Sequence, residues 1–180
     1  MYNNWQVDMD RTQKAIGVLK EIVFSGVEFR SIEKTKNEVL LWLDQYSGID
    51  YIFKTNKTNQ IVGVAARIQF DVKFETFTIR FERHTGSRTE FHKRVEAIEK
   101  GYFYPTFTLQ AYFNEAENKM YHAAIIDTKK LYSFMLDNPD KVHERKSDNV
   151  FKFVYWDDLK DYRIKIFRQS KLQTSIPFPR

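Results

Sequence analysis

Between residues 10 and 24, Ala15, Ile16, Leu19, Ile22 and Val23 recur at spacings of three and four, which predicts a helix with one buried stripe. A second helix is expected over residues 32–46, where Val39, Leu40, Trp42 and Leu43 supply an apolar face and Gly48 follows as a stop. Beyond it the period falls to two. Residues 49–54, the polar turn 55–60 and the β-rich run 61–70 predict a hairpin. In that run Val62, Val64, Ala66 and Ile68 fall on one face, and Gly63, Ala65, Arg67 and Gln69 on the other. Small residues beside long polar ones leave room, as at the floor of a site. A third strand, 74–83, sets Phe74, Thr76, Thr78 and Arg80 against Phe77, Ile79 and Phe81.

A loop at His84 to Ser87 leads to a helix over 88–100 carrying Phe91, Val95 and Ile98 and closed by Gly101. Strands over 105–113 and 119–127, a short helix over 128–137 and late strands over 150–156 and 163–167 complete the pattern. Gln110 is a polar residue in an otherwise apolar strand, so its amide needs partners, either at a site or in a structural network. From residue 32 the order is helix, three strands, helix, strand, and the expected class is α/β (α+β), a single mixed sheet with flanking helices. The 180 residues suit one domain, with an N-terminal helical extension over 1–31, a core over 32–113, additions over 114–170 and a tail over 171–180.

Composition narrows the chemistry. Hydrophobic residues at 42% can build a core, while only 6 Gly and 4 Pro favour long regular elements. No cysteine is present, which excludes disulfides, thiolate metal sites and a cysteine nucleophile. His84, His92, His122 and His143 lack metal-site spacing, and neither a phosphate-binding glycine loop nor a Gly-x-Ser-x-Gly elbow occurs. With no apolar leader and no stretch of membrane-span length, a cytoplasmic protein without a membrane partner is expected. The net charge of +5 suits an anionic partner such as nucleic acid.

The order of elements over 32–113 resembles the core of the PD-(D/E)xK nuclease-like superfamily, in which an Asp opening one strand and an acidic-x-Lys pair on the next hold a divalent metal. The matching stretch is Gly48-Ile49-Asp50-Tyr51-Ile52-Phe53, a turn, then Val62 through Gln69. The resemblance implies Asp50 as a metal ligand and a restriction-endonuclease-like core. Where an acidic-x-Lys pair belongs, the chain has Arg67-x-Gln69, and a guanidinium cannot bind a cation. In this superfamily the missing acid can move to the next helix, which makes Glu90 its candidate replacement. Asp50 and Glu90 would then hold Mg²⁺, while Gln69 and Lys93 complete the catalytic set by orienting water and stabilising charge on the phosphate.

Each residue also has a plainer reading. Asp50 suits a turn after Gly48, Glu90 suits a helix start, and Glu90 with Lys93 suits an exposed ion pair. Arg67, Arg80, Arg83, Arg88 and Arg94 are the candidate nucleic-acid contacts; with Lys73 and Lys93, most lie in a basic stretch between 73 and 94 that also holds Glu75, Glu82 and Glu90. A second basic stretch runs through Lys160, Arg163, Lys165, Arg168 and Lys171. Three functions follow: a Mg²⁺-dependent nuclease acting on nucleic acid, with DNA favoured; an inactive module on the same fold that binds nucleic acid or protein; and an assembly protein, with homo-oligomers allowed.

Overall fold

A computed structural model describes residues 4–32, 37–55, 59–116 and 118–168. The central layer is a mixed six-stranded sheet in the order β1 (Glu28–Ser31), β2 (Tyr51–Lys54), β3 (Ile61–Phe70), β5 (Phe107–Asn114), β6 (Lys119–Asp127) and β9 (Lys165–Arg168). Only β3 and β5 run parallel. The α+β class with a mixed sheet therefore holds. A single sheet does not: β4 (Thr76–Arg83) leaves the central layer and forms a second, antiparallel sheet with β8 (Asn149–Tyr155) and β7 (His143–Lys146). Helix, three strands, helix and strand occur in the expected chain order, but the third strand does not join the other three in one sheet.

Alternation explains the layering. On β3 the Val64, Ala66 and Ile68 face meets α1 (Asn4–Ile22), where Ala15, Ile16 and Leu19 are almost fully buried. Burying Ile16 and Leu19 contributes about 1.5–3 kcal/mol each. Leu109, Ala111 and Phe113 of β5 join this core, which leaves Gln110 and Tyr112 on the opposite side. There α3 (Glu90–Lys100), α4 (Thr128–Asp137) and the apolar face of the second sheet enclose Phe77, Ile79, Leu131, Val154 and Trp156. Because β4 carries Phe77 and Ile79 on one face and Thr76 and Thr78 on the other, it can cover this core while showing a polar face to β3 and β5.

Local signals fix most boundaries. Asn37 caps α2 (Glu38–Ser47), its Oδ1 accepting from Val39 N and Leu40 N at 3.0 and 3.3 Å, so this helix starts later than residue 32. Ile32 instead continues from β1 and donates its N–H to Asp50 O at 3.1 Å. Gly101 ends α3 in the left-handed region at φ 67°, and Asp127 caps α4 through Lys130 N at 3.0 Å. β1 and β7 are short, polar strands that the period-two pattern does not reveal. The turn residues 56–58, Lys171 and the tail lie outside the described residues. No described helix is long and apolar enough to cross a membrane.

Candidate functional site

Asp50 stands just before β2, opposite β3. Its backbone N–H donates to Val64 O at 3.0 Å, and its Oδ2 accepts from Ala66 N at 2.6 Å. One carboxylate oxygen thus extends the β2–β3 ladder by a step, a structural task close to the turn-residue alternative.

Glu90 opens α3 beneath β4, where Oε2 accepts from Arg80 N at 3.5 Å. Burial alone would raise its carboxyl pKa, but Arg94, Arg67 and Arg80 outweigh it and hold the value below the ordinary 4.5. Glu90 is therefore an ionised carboxylate in the field of three guanidinium groups, none of them within ion-pair distance. Arg94, one helical turn on, is buried; it donates through Nη1 to Tyr132 Oη at 3.1 Å and through Nη2 to Gly48 O at 3.2 Å. Burial opposes its charge, yet Tyr132, Glu90 and Asp50 raise its pKa overall. Gly48 makes this joint possible: its φ is 63°, and a Cβ there would sit 3.3 Å from Arg94 Nη2.

Lys93 lies three residues after Glu90 on α3. It is exposed, and the residue at the fourth position, Arg94, turns inward instead. Arg94 is thus an internal counter-ion and not a surface contact. Arg88 is exposed and paired with Glu96, while Arg83 is exposed at the end of β4.

The donor set does not fit a divalent cation. Mg²⁺ requires carboxylate oxygens with room for water, whereas Glu90 lies in the field of three arginines and one oxygen of Asp50 is taken by the backbone. Among the described residues no cluster of three or more His, Asp or Glu side chains is placed to hold a metal.

Arg67 and Gln69 do reach a concavity. They line a cavity of about 560 Å³ between β3 and the polar face of the second sheet. Its far wall is built by β8, whose alternate residues Phe151, Phe153 and Tyr155 share one face. Register places Arg80, Thr78 and Thr76 of β4 beside those three rings, and Arg145 of β7 beside Phe151. The Arg67 guanidinium lies 4.7 Å from the centre of the Phe151 ring, and that of Arg80 lies 5.8 Å away. Burial, with Arg80 and Arg94 adding to it against the opposing pull of Glu90, lowers the Arg67 pKa, so its charge is under-compensated. Arg80 Nε and Arg94 Nε are buried without a hydrogen-bond partner.

Gln110 joins the walls. Thr78 N donates to its Oε1 at 3.3 Å, and its Nε2 donates to Gln69 Oε1 at 3.1 Å. The structure therefore brings Arg67, Gln69 and Arg80 together, with Glu90 behind them, and leaves Lys93, Arg83 and Arg88 outside. Sequence reasoning missed Phe151, Phe153, Tyr155 and Arg145. The period-two run of rings in 151–155 was the available signal, but which surface it faces depends on the pairing of β8 with β4.

Comparison with known protein families, characterised proteins and solved structures finds no match to this chain.

Proposed function

We propose that this protein is a non-catalytic nucleic-acid-binding module. The observation that carries the reading is the cavity wall in which Arg67 lies over Phe151 beside the rings of Phe153 and Tyr155, with Arg80 next to Phe151 on the neighbouring strand. Guanidinium groups neutralise phosphate and aromatic faces stack on bases, so the two together recognise nucleic acid without hydrolysing it. The net charge of +5 supports the same partner. Metal-dependent cleavage is the weaker reading, because Glu90 lies in the field of three cationic arginines and one oxygen of Asp50 is bonded to the backbone.

The test measures cleavage and retention together. Purified protein is incubated with plasmid and single-stranded DNA, with Mg²⁺, Mn²⁺ or chelator, over a range of salt concentrations. Salt-sensitive retention without cutting, unchanged by chelator, is the expected result. Metal-dependent cutting would restore the nuclease reading. Absence of retention at low salt would favour a protein partner, for which α2 offers an exposed apolar row of Val39, Trp42 and Tyr46.

A further inference from the structure

Resting on the nucleic-acid reading, we infer that the cavity between the two sheets holds a single unpaired nucleotide, with its base against the rings of β8 and its phosphate on Arg67 and Arg145. Three independent features point to this occupant. The first is shape: about 560 Å³ is within the range of sites for compact organic ligands, and the walls come from two separate sheets, so a ligand must enter between them. A base in a duplex has both faces stacked and its edge paired, and it cannot insert there without leaving the stack.

The second feature is the composition of the wall. Phe151, Phe153 and Tyr155 follow one another at every second position, so three rings lie in a row on one sheet face. There His143 of β7 already stacks on Phe153 with centroids 5.2 Å apart, and a base would extend the aromatic row. Tyr155 is 47% exposed and Phe153 stands edge-on to it with ring centroids 5.8 Å apart. At the other end of the row, Arg67, Arg80 and Arg145 surround Phe151 from β3, β4 and β7. The platform thus has an aromatic end and a cationic end, matching the base and phosphate of one nucleotide.

The third feature is a fixed donor. Because Thr78 N occupies Gln110 Oε1, and Gln110 Nε2 occupies Gln69 Oε1, the end of Gln69 left to face the cavity is its amide Nε2. A donor at this place suits a carbonyl on the edge of the base, a group that thymine and uracil present twice.

The experiment uses the full chain and fluorescence anisotropy. A short labelled oligothymidine, the matching duplex and thymidine monophosphate are measured with the native protein, Phe153→Ala and Tyr155→Ala, after thermal unfolding has shown that each variant is folded. Tyr155→Ala serves as the second variant because its ring is partly in solvent. The expected result is at least about tenfold tighter binding of the single strand than of the duplex, with about five- to hundredfold loss in either variant and little change for the duplex. Strand binding without monophosphate binding assigns the site to nucleic acid, and equal monophosphate binding assigns it to free nucleotide; both support an unpaired nucleotide. Equal affinity for strand and duplex, unaffected by both variants, would overturn the inference and leave the nucleic-acid reading standing. Failure of strand and duplex alike to bind at low salt would overturn that reading itself.

Discussion

Replacing Glu90 by Gln removes one charge from the buried cluster while keeping the shape of the side chain. In the native protein this carboxylate lies in the field of Arg94, Arg67 and Arg80, of which Arg94 is buried and the other two half-buried. Removing one charge from a cluster whose members are not in contact costs about 1–3 kcal/mol, because the desolvated cations lose part of their compensation. Arg67 reaches the cavity and can regain some hydration there, which favours the lower end, about 1 kcal/mol. The amide oxygen could keep the contact from Arg80 N, but at 3.5 Å that bond is long and offsets little. For a chain of this size each kcal/mol moves Tm by about 2–4 °C, so Glu90→Gln should melt about 2–4 °C lower at neutral pH. The native carboxyl is held below its ordinary 4.5, so its contribution is complete above that pH and disappears as pH falls through the folded value. Below pH 4.5 the native protein should therefore lose stability faster than the variant, and the two curves should converge. Thermal unfolding followed by circular dichroism across pH measures both effects. A variant that melts within about 1 °C of the native protein, with a parallel acid limb, would refute a carboxylate compensating buried guanidinium groups.

Other outcomes follow from the same geometry. Adding Arg67→Met to Glu90→Gln should recover part of the lost stability, since a surplus buried cation is removed, and a strictly additive double variant would contradict the coupling. Burial pushes the Tyr132 phenol up to about 12, so phenolate absorbance should show a transition near that pH that is missing in Tyr132→Phe. Its raised value means the contribution to stability is intact below 10.0 and is lost as pH rises through about 12. At neutral pH Tyr132→Phe should also cost about 1–3 kcal/mol in urea unfolding, because Arg94 Nη1 loses its acceptor. Gly63→Ala would place a Cβ 2.8 Å from Ile49 Cδ1 in a fully buried contact, so a loss of about 1–3 kcal/mol is expected. Ile49→Val removes that methyl and should recover part of the loss; no recovery would locate the strain elsewhere.

Much of the fold was legible because its signals are local. The Phe91, Val95 and Ile98 stripe with Gly101 after it placed α3, and residues 128–137 were placed as α4 with the same bounds. Alternation in 61–70 sorted Val64, Ala66 and Ile68 from Arg67 and Gln69, and those two faces do meet different layers. Candidate chemistry was only partly legible. Arg67, Gln69, Arg80 and Glu90 were singled out and are neighbours, but Asp50 was read as a ligand where it completes a backbone ladder.

What the sequence determined by itself is the periodicity of each element and the side of it that is polar, since both depend on residues a few positions apart. Apart from the β2–β3 hairpin, strand partners were decided only by the tertiary structure. β4 pairs with β8, more than sixty residues later, and no local pattern in 74–83 distinguishes that partner from β3 or β5. The rotation of α3 was decided the same way. Positions three and four after Glu90 both lie near it on a helix, and packing against Gly48 and Tyr132 turns Arg94 inward and leaves Lys93 in solvent. The cavity has the same origin: its walls come from β3, from β4 and from strands more than seventy residues after β3, and only the stacking of two sheets brings Arg67 over Phe151.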